Sequence, residues 1–166
     1  MAHEEANTLI AAKERRERKK MDKSVKELCN LIRQIAYDIH VYHGHGHVEK
    51  IYENALIHRL RKSGVKVEQQ FPLKVYDEDE TLLGEFFVDL LVENKLIVEL
   101  KAVRALASEH LAQLLGYLKS ARCEHGLLVN FGSYKFEIKK YALSDARLSQ
   151  IKTAAALRSL RSFAAI

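Results

Sequence analysis

Asp89, Glu99 and Lys101 are the residue types that hold a hard metal ion and handle a phosphodiester, and they fall within one short stretch rich in Val, Leu and Ile. Two apolar runs flank Glu93-Asn94-Lys95, the pattern of two strands joined by a tight hairpin. With Asn94 at the centre of the turn, Asp89 faces Glu99. Lys101, two residues further along, shares the face of Glu99. Val88, Leu90, Val92, Leu96, Val98 and Leu100 are then expected on the opposite face. Two carboxylates one strand apart suit Mg²⁺ or Mn²⁺ rather than zinc, and the Leu100 carbonyl offers a further oxygen. An ion held there would acidify a bound water and polarise a phosphoryl oxygen, with Lys101 offsetting charge in the transition state. The plain alternative is a cross-strand ion-pair ladder of little energetic value.

The flanking segments indicate how such a face is positioned. Residues 3–21 have helix-forming composition but only a weak apolar stripe, as in a loosely docked helix. Val25, Leu28, Cys29, Ile32, Ile35, Ala36 and Ile39 recur at steps of three and four, predicting an amphipathic helix from Asp22 to His43. Gly44-His45-Gly46 breaks it. A second helix is expected over 47–62, striped by Val48, Ile51, Tyr52, Ala55, Leu56 and Leu60 and closed by Ser63-Gly64. Strands follow over 65–76, where Pro72 marks an edge or bulge, and through the hairpin. A helix from Ser108 or Glu109 to Ala121 and strands over 124–131 and 134–143 complete the pattern. The order predicts one α/β domain with a mixed central sheet flanked by helices, residues 96–130 forming a strand–helix–strand crossover. It divides into a basic helical extension (1–21), a core (22–143) and a basic helical tail (144–166).

A chain of 166 residues, 48% hydrophobic and 30% charged, has the balance of a globular domain. It holds no apolar run long enough to span a bilayer, so no membrane role is expected, and the N-terminus does not read as a secretory signal. Cys29 and Cys123 form neither a metal-ligand spacing nor a disulfide framework, which fits a cytoplasmic protein. Lys and Arg number 27 against 22 Asp and Glu, and the excess gathers at both ends. That distribution suits a polyanion, or two solvated helical ends. The apolar stripes of the terminal segments suggest a homo-oligomer or a larger protein partner.

His40, His43, His45 and His47 cluster at the helix break, without a Cys or acid to complete a tetrahedral set, and read as a solvated turn. Tyr134, Lys135, Lys139, Lys140 and Tyr141 interleave rings and cations along a late strand, a pattern that suits nucleic acid but also a half-exposed strand. Glu53 is expected to be a solvated or capping carboxylate, and His110 a marginal neighbour of the site.

Gly84, Val88-Asp89 and Glu99-Leu100-Lys101 together resemble the PD-(D/E)XK nuclease motif, with Val88 in place of its namesake proline. Gly46-His-Val-Glu49-Lys-Ile-Tyr52 and His110-Leu-Ala-Gln113-Leu-Leu-Gly-Tyr117 extend the resemblance, over residues 24–143, to that superfamily's GxxExxY branch. The resemblance implies a restriction-endonuclease-like core that binds Mg²⁺ and cuts nucleic acid, DNA before RNA. It implies Asp89 and Glu99 as metal ligands, with the Leu100 carbonyl and Glu49 completing the set, and Lys101 as the catalytic lysine. Gln113 and Tyr117 would border the site. The alternative is a nucleic-acid-binding or assembly module that reuses the nuclease fold without turnover.

Overall fold

The computed structural model describes residues 2–144, the side chains of 2–12 and 14–23 excepted. The tail expected over 144–166 therefore lies, after Ser144, outside the described residues. Helix α1 runs without a break from Ala2 to His43, across the boundary expected at residue 22. Its stripe of Val25, Cys29, Ile32, Ala36 and Ile39 is buried. It stops where Gly44, at φ +66°, turns its N–H back to the His40 carbonyl at 2.9 Å.

Helix α2 (Glu49–Lys62) buries Tyr52, Leu56 and Leu60, spaced by four residues along one face. Each such side chain contributes about 1.5–3 kcal/mol of hydrophobic stabilisation. Strands β1 (Val67–Tyr76) and β2 (Leu82–Val92) form a long antiparallel ribbon, with Pro72 on the sheet's edge strand as its missing N–H requires. The turn into β3 (Leu96–Lys101) holds Glu93 at φ +51° and Asn94 at +55°, with Lys95 N–H on the Val92 carbonyl at 3.0 Å. Two central residues at positive φ define the primed turn that matches strand twist, and Leu90↔Val98 and Val92↔Leu96 take the register expected.

Helix α3 (Ser108–Ala121) then leads to β4 (His125–Asn130), parallel to β3, and β5 (Glu137–Ala142) closes the far edge antiparallel to β4. The sheet order is β1-β2-β3-β4-β5. Helices α1 and α2 cover the face carrying Leu90, Leu96, Val98, Leu100, Leu127 and Val129. Helix α3 covers the other, with Ile97, Leu114, Leu118 and Leu128. The expected α/β architecture with a mixed sheet is present. Among the described residues no helix is long and apolar enough to cross a membrane.

Val88 departs from its expected face. It packs in the α3 layer with Ile97, not with Leu90 and Val92. The register places Gln70 across from Asp89, between Gln69↔Leu90 and Phe71↔Val88, and Gln70 has φ +49°. A left-handed residue inside a strand breaks the strict alternation of sides. The ribbon therefore shows Gln69 and Leu90 to α2, Phe71 and Val88 to α3, and Asp89 to the space between.

Candidate active site

The β2–β3 ladder ends at Leu90↔Val98, and beyond it the two strands part. Past that point β3 still has N–H groups that a neighbouring strand would have accepted, and carboxylates take them instead. Asp89 Oδ2 accepts the Leu100 N–H at 2.8 Å. Glu49, in the first turn of α2, accepts the N–H of Ala102. Since the N–H and C=O of one strand residue point to the same edge, the Leu100 carbonyl opens into the same gap.

Glu99 stands at the centre, only 3% exposed. Its Oε1 accepts Lys101 Nζ at 2.8 Å, and its Oε2 is buried without a hydrogen-bond partner. Burial, then the negative charge of Asp89, push its carboxyl up to about 7 despite the opposing ammonium of Lys101. Burial also raises Asp89, against the Leu100 N–H that favours its charged form, with Glu53 adding to the rise. Glu49 is raised by burial, Lys101 opposing and Asp89 reinforcing. For Lys101 burial works downward, but the Glu99 hydrogen bond and the charges of Glu99, Glu49 and Asp89 win and hold its pKa above the ordinary value. Carboxylates raised chiefly by burial and further by neighbouring like charge are a pattern found at functional sites.

Helix α3 supplies the remaining wall. Gln113 donates through Nε2 to the Tyr117 hydroxyl at 2.7 Å, and Tyr117 stacks on Phe86 with ring centres 4.6 Å apart. Burial raises the Tyr117 phenol, and the Glu99 charge adds to the shift. Tyr117 thus senses the site. Gln113 is exposed, so its amide has no burial cost to meet and its contact with the site runs through Tyr117. His110 is occupied in fixing the start of α3, its Nδ1 accepting the Ala107 N–H at 3.0 Å.

Glu53 corrects the sequence reading. It is neither solvated nor a cap: it is 3% exposed, and its Oε1 accepts Lys50 Nζ at 2.9 Å, Gln70 Nε2 at 3.2 Å and Gln69 Nε2. Gln70 Nε2 also reaches Asp89 Oδ1 at 3.2 Å, so one amide ties the two carboxylates. The signal was present in the sequence: Glu53 lies four residues after Glu49 and three before Leu56, on the buried stripe. Asn130 was also missed. Fully buried, it accepts the N–H groups of Val103 and Gly132 on its Oδ1, both at 3.1 Å, and shapes the chain where it leaves β3 and β4.

Of the four clustered histidines, His43 and His47 meet edge-on with ring centres 6.0 Å apart. His40 bonds the Ser133 carbonyl at 2.9 Å, while His43 and His45 make edge contacts with other rings. Among the described residues no three His, Cys, Asp or Glu side chains stand at the spacing of a formed metal centre. The donors between β2 and β3 nevertheless suit a hard cation. Asp89, Glu99 and Glu49 offer only oxygens, Glu99 Oε2 is an orphaned buried acceptor, and a cation would offset the burial, and secondarily the like charge, that raises all three carboxyls.

Fold and site define a restriction-endonuclease-like α/β protein, with its acidic groups at the open end of a mixed sheet. The chain belongs to the PD-(D/E)XK nuclease superfamily, whose sequence profile matches residues 26–141. No curated protein matches it. Among solved structures it is similar to SSO0001, at 17% identity and a TM-score of 0.48, covering 65% of this chain and 57% of that one. It is also similar to an alkaline exonuclease (LHK-Exo) from Laribacter hongkongensis, at 13% identity and a TM-score of 0.43, covering 69% and 66%. The chain spans less than two thirds of the length of either.

Proposed function

We propose that the protein is a cytoplasmic, Mg²⁺-dependent nuclease of the GxxExxY branch, with Mn²⁺ as a substitute, hydrolysing phosphodiester bonds of nucleic acid and preferring DNA. Superfamily membership supports the reaction class. The observation that carries the reading is the convergence of Asp89, Glu49, Glu99 and Lys101 where the β2–β3 ladder ends.

Asp89, Glu99, Glu49 and the Leu100 carbonyl would hold the ion. When bound, it supplies a Lewis acid for the phosphoryl oxygen and an acidified water. The chain's own residues do the rest. Lys101 Nζ, kept protonated by the surrounding carboxylates, sets a positive charge beside the reacting phosphate. Glu99, buried beside Lys101 and with one oxygen free of hydrogen bonds, offers that oxygen to the ion in its ionised form. Asp89 is held in place by Leu100 and Gln70, so its orientation costs little at the moment of reaction. Tyr117 and Gln113 border the substrate.

The test incubates purified protein with plasmid, linear and single-stranded DNA, and with RNA, in Mg²⁺ or Mn²⁺. Cleavage is expected to need the metal and to fall about 10²–10³-fold in Lys101→Ala, the scale of losing one charge-stabilising donor. Cleavage that persists in Asp89→Ala would assign it to another protein.

A further inference from the structure

Two loops meet beside this site, and both are fastened to it. Residues 44–48 join α1 to α2, and residues 131–136 join β4 to β5. The Tyr52 hydroxyl donates to the Gly44 carbonyl at 2.8 Å and accepts the His47 N–H at 3.2 Å. The Tyr52 ring lies flat on Phe131, with centroids 4.6 Å apart and 3° between planes. Phe131 in turn donates its N–H to the Lys101 carbonyl at 2.8 Å. Gly132 runs so close to the end of β3 that a Cβ there would stand 2.3 Å from the carbonyl carbon of Ala102. Whatever the loops hold is therefore held at a fixed offset from Lys101 and Glu49.

These loops present rings to solvent. Tyr134 is 83% exposed. His45 meets Tyr134 edge-on at 6.0 Å. An edge contact steadies a ring while leaving a face open for stacking. Neither residues 39–48 nor residues 125–136 include a carboxylate, and Lys135 adds a cation beside Tyr134. Open aromatic faces in a segment without negative charge suit a polyanion whose bases are unpaired, since a duplex keeps its base faces stacked inside.

We infer that this rim binds single-stranded nucleic acid, with a base stacking on Tyr134 beside His45 and the backbone passing Lys135 toward Glu49 and Lys101. What becomes of the strand rests on the nuclease reading; the binding itself does not.

The experiment measures fluorescence anisotropy of the full chain with a labelled oligothymidylate, and with a blunt duplex of equal length, in EDTA so that nothing is cut. The oligothymidylate is expected to bind roughly tenfold tighter than the duplex. Tyr134→Ala is expected to weaken it roughly tenfold, the scale of one stacked base, while Tyr134→Phe keeps wild-type affinity. Circular dichroism verifies that the variants fold. Equal affinity for both probes, or a Tyr134→Ala variant that binds the oligothymidylate like wild type, would overturn the inference. The two readings fail separately. A protein that binds the single strand through Tyr134 but never cuts retains the rim and loses the nuclease. One that cuts, with binding indifferent to Tyr134, does the reverse.

Discussion

Asp89 Oδ2 and the Leu100 backbone N–H, 2.8 Å apart, occupy the place where the next rung of the β2–β3 ladder would be. A side chain has replaced a strand carbonyl, and this substitution lets the sheet open without leaving that donor unsatisfied. Asp89 is thus structural, the proposed function gives it a chemical role as well, and two substitutions separate the two. Asp89→Asn retains an oxygen for Leu100 and is expected to unfold within about 1 kcal/mol of wild type while abolishing cleavage. Asp89→Ala strands a buried donor and is expected to cost a further ~1–3 kcal/mol. Urea denaturation checks the difference, and equal stability of the two variants would remove the hydrogen bond from the account.

Glu53 and Gln70 should act on the reaction through Asp89. Gln70 donates to both carboxylates through one amide nitrogen, and Glu53 anchors it from the other side. Gln70→Ala frees Asp89 Oδ1 without touching the core, since Gln70 is exposed. The expected outcome is a kcat lowered about tenfold with KM little changed and stability within about 0.5 kcal/mol. Glu53→Leu removes the acceptor of three donors, and is expected to cost about 2–4 kcal/mol in urea denaturation. A Gln70→Ala enzyme with wild-type kcat would restrict the network to a structural role.

The hairpin register was legible in the sequence because an asparagine at the centre of a three-residue turn fixes every facing pair after it, as Leu90↔Val98 demonstrates. The helix stripes were legible for the same reason: periodicity is local. The side to which Val88 points was not, because it follows from the backbone of Gln70 in a different strand, and nothing about a glutamine announces a positive φ. Glu53 was misjudged because composition treats a carboxylate as solvated, whereas the three donors that satisfy it come partly from β1, remote in sequence. The site residues of α2 and α3 were reached through family resemblance; their spacing alone would not have brought them to Asp89.

Tyr52 tests whether the loop before α2 helps to place Glu49. Tyr52→Phe keeps the stacked ring on Phe131 but loses the bonds to Gly44 and His47. The expected loss is about 1 kcal/mol, from two part-buried backbone groups that lose this partner. If the loop places Glu49, the variant should also bind Mg²⁺ more weakly by calorimetry. Unchanged Mg²⁺ affinity would confine Tyr52 to the core.

Glu99 gives the protein a pH dependence of definite sign. Its carboxyl is raised from 4.5 to about 7 in the folded chain. Between those values the folded state binds more protons than the unfolded one, so stability falls as pH rises. Stability from this group is full below about pH 4.5 and is lost by the time pH passes about 7. The slope approaches ~1.4 kcal/mol per pH unit where only one of the two states is protonated. Asp89 and Glu49, also raised, add to it in the same direction. A cation that needs ionised carboxylates reverses this trend, because it binds only the deprotonated site and repays the repulsion that deprotonation creates. Urea midpoints in EDTA are therefore expected to decline from pH 5 to pH 8, and Mg²⁺ is expected to restore stability at pH 8 far more than at pH 5. In Glu99→Gln the decline should flatten and most of the Mg²⁺ effect should vanish. A variant that keeps the wild-type slope would move the titration, and with it the proposed ion, away from Glu99.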